Sequence, residues 1–329
     1  MLFRSPERIK TIFAADPNLF EPFAVQAVAP ITGPASLLTL SGSRHRAERK
    51  LLMPPFHGER MRNYAEIMAE VGARRFQDAA SRGEPFDAQL VTQTVSLEVI
   101  LRAVLGLEPD EIDDVAEQIV RTVDGVSPLL VFFPFLRKPL FGLSPWDRFR
   151  AQFEATDQLL QRRIDAVRAG AAGTDILSLM VEAKYEDGSP MTDSDIKDEL
   201  RTLILAGHET TGLGLAWAID AIHRHPDIEA KLRAELEDAP EDPQMFAKLP
   251  YLDAVVKETL RLFPVLTEAM RTLKEDWHFA GYDIPAGVTV GASIHLTHYR
   301  EDIYPNPLAF EPERFERRKY SRSEEHTSE

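Results

Sequence analysis

Cysteine is absent from all 329 residues. No disulfide framework is available, and neither is a thiol nucleophile or a thiolate metal ligand. Positive charge is in deficit too: 38 Lys and Arg face 53 Asp and Glu, for a formal charge of −15. Such a surface repels a polyanion such as nucleic acid unless a local basic patch intervenes, and the sequence shows no such patch. Long apolar runs are also lacking. The longest strongly apolar stretch, Leu129 to Leu136, is interrupted by Pro134 and is too short to cross a bilayer, so no membrane span is expected. The start, Met1-Leu2-Phe3-Arg4, has neither the apolar run nor the cleavage site of a secretory signal, and a cytoplasmic setting is the expectation. What is present, 44% hydrophobic and 28% charged residues, is the composition of an ordinary globular protein with a sizeable core, in one domain or two.

Helical patterns dominate. Ser5-Pro6-Glu7 combines a cap, a first-turn proline and a first-turn acid, which predicts a helix to about Ala14. Leu2-Phe3-Arg4 before it reads as a strand end whose partners are expected upstream. Apolar spacing predicts further helices over His45 to Met53, Gly58 to Ala80, Leu90 to Leu105, Pro109 to Gly125, Pro145 to Ala169 and Asp175 to Lys184. A longer one, Asp193 to Arg224, starts at the cap-like Thr192-Asp193 and is apolar around most of its circumference after Leu200, which predicts a central buried helix. Helices over Pro226 to Glu237 and Tyr251 to Leu262 follow, the second stopped by Pro264. Trp277 to Ile294 carries the glycine, proline and β-branched signals of short strands and turns. The fold class is mainly α with a small β-sheet.

Three constellations stand out. The central helix contains Ala206-Gly207-His208-Glu209-Thr210-Thr211-Gly212, a polar cluster in a segment otherwise suited to burial. Unpaired buried polar groups cost about 1–3 kcal/mol each, so such a cluster requires partners or a purpose. The Thr210 hydroxyl is spaced to bond back to the Ala206 carbonyl, and Gly207 lets the backbone deform there. Glu209 and Thr210 then form a candidate proton-relay pair beside a groove; a plain helix kink with satisfied polar groups fits the segment equally well. Glu258 and Arg261 share a helix face among Leu252, Val255, Val256, Leu260 and Leu262, which leaves little open surface. A buried pair of this kind needs further hydrogen bonds, and Arg314, in Phe310-Glu311-Pro312-Glu313-Arg314-Phe315, is the candidate third partner.

Ala-Gly-His-Glu-Thr-Thr, then Lys257-Glu258-Thr259-Leu260-Arg261-Leu262-Phe263-Pro264, then Pro312-Glu313-Arg314-Phe315 occur in an order and spacing that resemble the cytochrome P450 family. Glu275-Asp276, Gly281-Tyr282-Asp283-Ile284-Pro285-Ala286-Gly287, and His45-Arg46-Ala47-Glu48-Arg49-Lys50 followed by Pro54-Pro55-Phe56-His57-Gly58 are similar to it as well. The resemblance covers residues 1 to about 321 and is to soluble bacterial members. It implies a haem-dependent monooxygenase that inserts one oxygen atom of O2 into an organic substrate, with electrons from a ferredoxin- or flavoprotein-type partner.

By that resemblance, Glu209 and Thr210 are the catalytic proton-delivery pair, and Ala206 and Gly207 line the oxygen groove. His45, Arg49 and Arg271 bind the haem propionates. His298 is a further propionate contact, although the family's usual His-Arg pair reads His298-Tyr299 here, with Arg300 displaced by one. Glu258, Arg261 and Arg314 match the buried structural triad. Substrate contacts are implied from Ala24 to Leu40, Leu129 to Leu143, Leu203 to Ala206 and Val265 to Met270, mostly apolar, with Glu268 suited to a cationic or donor group.

The family holds its iron through a cysteine thiolate, as the general account of haem ligation has it. This sequence contains no cysteine, so no metal ligand is assigned in it. The expectation is a P450 domain over 1–321 that lacks its N-terminal strands and its C-terminal haem-cysteine loop. Residues 322–329, Arg-Ser-Glu-Glu-His-Thr-Ser-Glu, read as a non-native tail, of the kind a translated sequencing adapter leaves. Two rivals follow. One is a non-catalytic fragment or apolar-ligand-binding protein. The other is a metallohydrolase built on His208-Glu209 or on His223 and His225, but the first lacks the His three residues on, and the second pair points to different helix faces.

Overall fold

A computed structural model describes residues 1–54, 60–171, 173–321 and 324, which fall into two units. Pro55, Phe56, His57 and Gly58 of the second motif lie outside the described residues, as does all of the 322–329 tail except Glu324.

The first unit takes in Met1–Phe23, Pro85–Thr92 and Thr210–Glu329. Its helix Pro6–Ala14 begins as predicted, with proline in the first turn, but the Ser5 hydroxyl turns to the Glu7 carboxylate and leaves the backbone uncapped. Ile9 and Ile12 of this helix pack with Phe3, Phe20, Leu273 and Val290 of a four-stranded sheet. The strands are β1 (Leu2–Phe3), β2 (Phe20–Pro22), β3 (Glu268–Leu273), β4 (Trp277–Phe279), β5 (Tyr282–Ile284) and β6 (Thr289–Ser293). The sheet runs β1-β6-β3-β2, with β1 parallel to β6 and the other pairs antiparallel. Gly291 is required in β6, because a Cβ there would sit 2.4 Å from the Ala269 carbonyl oxygen on β3. β4 and β5 form a separate hairpin whose two turn residues, Ala280 and Gly281, have φ of 56° and 83°, the left-handed pair a tight hairpin turn needs. A second core gathers Ala221, Ile228, Leu232, Tyr251, Val255, Leu262 and Phe310 from the helices Pro226–Glu237 and Pro250–Leu262 and their neighbours.

The second unit, Ala24–Glu84 and Gln93–Glu209, is helical. Helices Gly42–Leu52, Arg60–Ser81, Ile112–Asp124, Pro145–Arg168 and Ile176–Glu182 agree with the expected spans to within a few residues. Ser144 caps the fourth of these in a full capping box with Asp147. The core is one cluster that includes Leu97, Leu101, Leu105, Leu160, Ile164, Leu177, Ile196 and Leu200.

Helix Ala88–Leu105 is long and apolar enough to cross a membrane by length and composition only. Over half of it is buried in the fold, as in a core helix. The long helix Asp193–Arg224 has the predicted limits, and the Thr192 hydroxyl accepts from the Asp195 amide at its start. It is less hidden than expected: Leu215 and Trp217 are 39% and 38% exposed. Trp217 stacks on Phe263 with ring centroids 4.5 Å apart. The short helices Val25–Thr32, Pro128–Phe132, Pro243–Phe246, Ile294–His298 and Glu313–Arg317 are absent from the expected spans; the first contains Pro30 and the fourth follows directly on β6.

Candidate functional site

In the second unit, the polar cluster of the long helix lies against helix Ala88–Leu105. Gly207 is there for steric reasons, since a Cβ would lie 2.6 Å from Ile100 Cδ1. The Ser96 hydroxyl reaches the carbonyls of Gly207 at 3.1 Å and His208 at 2.9 Å, so two backbone acceptors in the deformable segment gain an outside donor. Gln93, one turn earlier, donates from Nε2 to Glu209 Oε2 at 3.2 Å. Glu209 Oε1 lies 3.5 Å from His208 Nδ1. His208 is buried, and burial holds its imidazole below the ordinary value, against the opposing charge of Glu209 and a hydrogen bond to the Gln93 backbone carbonyl. Ala206 and Gly207 precede this pair on the same helix and Thr210 follows it, as the first residue of the other unit.

The same unit holds His45, half-buried, and Arg49, exposed, four apart on helix Gly42–Leu52. Between them Glu48 is buried and accepts from the Tyr185 hydroxyl at 2.5 Å and from Arg44 at 2.7 Å. Buried Glu199, on the long helix, has its carboxyl pushed up to about 8, by burial first and then by the charge of Glu48. The segments expected to contact substrate also meet here in part: Ala27, Pro30, Ile31, Leu130 and Val131 line one small apolar cleft.

In the first unit, Glu258, Arg261 and Arg314 come together, at 0%, 1% and 4% exposed. Arg261 grips Glu258 with two hydrogen bonds, Nε to Oε2 at 2.7 Å and Nη2 to Oε1 at 2.9 Å. Arg314 Nε adds a third at 3.0 Å, and the Glu311 amide a fourth at 2.8 Å. The guanidinium protons left over go to the carbonyls of His298, Pro305, Asn306, Pro307 and Ala309 and to the Glu311 carboxylate. His298 is buried within this cluster, with Nδ1 3.1 Å from the Arg261 carbonyl and its ring edge-on to Tyr304. Arg271 differs: its guanidinium lies over the rings of Phe13 and Phe20 at 5.1 and 5.4 Å, burial lowers its pKa, and no acid forms an ion pair with it among the described residues. Glu268, on β3, accepts from the neighbouring Thr267 hydroxyl. His223 and His225 are engaged separately, with Glu229 and with the Ala221 carbonyl, and no group of three or more His, Asp or Glu that could hold a metal occurs among the described residues.

The family profile described as "Cytochrome P450" matches residues 1–328, across both units. The chain belongs to the cytochrome P450 family. It is 36% identical over 314 residues to "Putative cytochrome P450 135B1" of Mycobacterium tuberculosis and Mycobacterium bovis, and 33% identical over 315 residues to "Putative cytochrome P450 138" of the same species; each match covers 94% of this chain. The chain spans 66% of the length of these relatives. Its fold matches a retinoic acid-bound cyanobacterial cytochrome P450, CYP120A1, with TM-score 0.82 at 24% identity over 97% of this chain and 71% of that one. A second P450 structure, CYP102L1, matches with TM-score 0.82 at 22% identity over 95% and 75%. The mainly helical P450 fold with small sheets, read from the sequence, is borne out.

Cytochrome P450 proteins are haem-dependent, so the residues present can be tested against that group. A half-buried guanidinium without a carboxylate partner among the described residues, as at Arg271, fits an anionic propionate. The thiolate side is not supplied, because these 329 residues hold no cysteine. Sequence reasoning missed Gln93, Ser96 and Glu199. Gln93 and Ser96 are ordinary polar residues in a helical pattern, and nothing in their own segment says that they face Glu209 and the Gly207 carbonyl.

Proposed function

We propose that the protein to which these residues belong is a haem-dependent monooxygenase that inserts one oxygen atom of O2 into an apolar organic substrate. The observation that carries the reading is Arg271, a cation half-buried between two aromatic rings with no acid in ion-pairing reach among the described residues. Holding such a charge out of water is unfavourable unless an anion is bound there. Arg271, with His45, Arg49 and His298, would hold the propionates. His298 is the least available of the four, since its ring already serves the Glu258 cluster.

When bound, haem supplies the iron at which dioxygen is activated. The chain's own part is proton handling and framing. The Glu209 carboxyl group and the Thr210 hydroxyl, which both accepts and donates, together give a relay for general acid catalysis. Ala206 and Gly207 keep the adjoining helix surface free of bulk. Glu258, Arg261 and Arg314 fix the surrounding backbone and touch no reactant. Residues 24–40, 129–143, 203–206 and 265–270 supply an apolar substrate lining, and Glu268 favours a cationic or donor group on the substrate. The electron donor is a ferredoxin- or flavoprotein-type partner, and the setting is cytoplasmic.

A second reading has a specific observation in its favour. With no cysteine, the 329 residues as they stand are a non-catalytic fragment or an apolar-ligand-binding protein. Haem titration separates the cases. The chain is expected to take up haem with affinity lowered about tenfold by Arg271→Leu, the loss of one charge-assisted hydrogen bond, and to give no thiolate-type spectrum with carbon monoxide. Equal uptake of haem and of its propionate diester would remove the propionate assignment. The monooxygenase reading is tested on the longer gene product, where a thiolate-type carbon monoxide spectrum and oxygen insertion are expected and the absence of both would overturn it.

A further inference from the structure

Residues 129–143 of the second unit divide by direction. Leu130 and Val131 turn into the small apolar cleft, whereas Phe133, Phe135, Leu136, Leu140, Phe141 and Leu143 face outward, each more than 40% exposed. Single apolar side chains on a surface need no explanation, but six within eleven residues make a patch that needs cover. The segment is also held in this shape. Arg137 donates to the carbonyls of Leu130 at 2.7 Å, Val131 at 3.3 Å and Gln26 at 2.6 Å, which ties its foot to the unit. The amides of Leu140, Gly142 and Ser144 converge on one oxygen, Asp147 Oδ2, at 2.8, 3.1 and 3.2 Å, and the Leu143 amide closes a turn on the Leu140 carbonyl at 2.9 Å. These bonds to the carboxylate, that of Leu140 first, hold the Asp147 carboxyl below its ordinary range, so the latch is ionised at neutral pH.

The two central residues of the turn, Phe141 and Gly142, have φ of 50° and 85°. A left-handed pair is the mark of a type I′ turn, where Asn or Gly is the ordinary first residue. Phenylalanine is disfavoured there by its backbone, and at 98% exposed it gains nothing from the fold. Whatever favours it lies outside these residues. Charge indicates what that is. Between Gly125 and Arg150 stand Arg137, Lys138, Arg148 and Arg150 against a single acid, Asp147, which is engaged in the latch, in a chain of formal charge −15. A second copy of the chain is repelled by that overall charge, and a protein partner would need a pocket for each projecting ring. A bilayer needs no matching pocket: apolar tips enter the headgroup boundary, and the cations beside them meet anionic headgroups.

We propose that the turn Leu140–Leu143, with Phe133, Phe135 and Lys138 beside it, docks this protein on the surface of an anionic lipid bilayer, with Phe141 as the inserted tip and Asp147 as the residue that shapes it. The segment lies on the bilayer and does not span it. The proposal goes beyond the monooxygenase reading and does not depend on it.

The test is cosedimentation of the full chain, without haem, with vesicles of mixed phosphatidylcholine and phosphatidylglycerol. The unaltered chain is expected to bind. Phe141→Asn puts the favoured residue type in the turn, so thermal unfolding should be unchanged or later, while vesicle affinity should fall about tenfold, the size of one phenylalanine side chain withdrawn from an apolar phase. Lys138→Glu should weaken binding to the mixed vesicles severalfold and leave binding to pure phosphatidylcholine nearly unchanged. Phe141→Trp is expected to keep binding and to show quenching by bromine-labelled acyl chains beyond that of the three native tryptophans. No vesicle binding by the unaltered chain, equal binding by Phe141→Asn, a Lys138→Glu effect that ignores headgroup charge, or no added quenching in Phe141→Trp overturns the proposal. Self-association in the absence of lipid that Phe141→Asn abolishes, seen by analytical ultracentrifugation, would assign the patch to a second copy and overturn it too. Because Phe141→Asn eases the backbone, its loss of binding is not a loss of structure. No haem enters these measurements, so their failure leaves the monooxygenase reading untouched.

Discussion

Glu258 and Glu199 are equally hidden, each 0% exposed on a helix, yet their surroundings are opposite. Two guanidinium groups and a backbone amide address Glu258, and the remaining arginine protons go to backbone carbonyls and, from Arg314, to the Glu311 carboxylate as well. Glu199 has a second buried carboxylate as neighbour and a carboxyl pushed up to about 8. The first is an ion cluster whose desolvation is offset by geometry, while the second is an acid kept neutral by its site. Burial alone therefore says little about the charge a carboxyl carries; its donors decide.

The largest effect is expected at the satisfied carboxylate. Glu258→Leu strands Arg261 and Arg314, both under 5% exposed, and is expected to destabilise the fold by about 3–5 kcal/mol in urea unfolding. Replacing Glu258, Arg261 and Arg314 together by apolar residues should cost far less, because no bare charge is left behind. Equal losses in the single and triple variants would break the contrast with Glu199.

Glu199 should respond with the opposite sign. Its folded-state pKa lies above the ordinary value of 4.5, so the folded state holds a proton that the unfolded chain releases between roughly pH 4.5 and 8. The folded state's preference for that proton is fully met below pH 4.5, and stability falls as pH rises toward 8. Glu199→Gln removes the dependence and is expected to stabilise the chain by on the order of 3 kcal/mol at pH 8 and negligibly near pH 4.5. Thermal unfolding of both proteins across that range reads it, and a gain that does not grow with pH would show that Glu199 is already ionised and paired.

The two glutamates were also unequally legible. Glu258 declared itself because Glu-x-x-Arg sits in an apolar helix and Arg314 follows in a proline-fixed segment, so need and supply are both written locally. Helix limits were readable for a similar reason, since Thr192, Pro145 and Ser144 act on their own neighbourhoods. Glu199 is invisible by that route. Its pKa depends on Glu48, which is 151 positions away in sequence, as 199 minus 48 gives, and Glu48 reads as one more charge on a polar helix. Gln93 and Ser96 were missed for the same cause, and so were β2 and β3, whose pairing of Phe20 with Leu273 joins segments far apart in the chain. The openness of Leu215 and Trp217 was unreadable too: an apolar circumference says that a surface prefers cover, but not what provides it.

A steric contact extends the contrast beyond charge. Gly207→Ala places a methyl 2.6 Å from Ile100 Cδ1, and overpacking of this kind is expected to cost about 2 kcal/mol. Ile100→Ala in the same chain should restore much of it, since the clash is with the end of one flexible side chain. A double variant as unstable as the sum of the two singles would mean that Gly207 is needed for its backbone freedom and that close packing is secondary.

The smallest effect tests whether the polar part of that helix contact is held as tightly as the Glu258 cluster. Ser96 supplies one hydroxyl to two carbonyls, at 3.1 and 2.9 Å, so at any moment it satisfies one of them well. Ser96→Ala is expected to cost about 1 kcal/mol, the net worth of a neutral hydrogen bond, because carbonyls inside a helix keep other acceptor options. Hydrogen exchange should show the loss locally, as faster exchange of the amides following His208, with little change among those of helix Pro250–Leu262. If Ser96→Ala instead matched Glu258→Leu in size, the deformed segment at Gly207 and His208 would depend on that hydroxyl as fully as Arg261 depends on its carboxylate, and the division between a saturated polar core and a sparsely held one would fall.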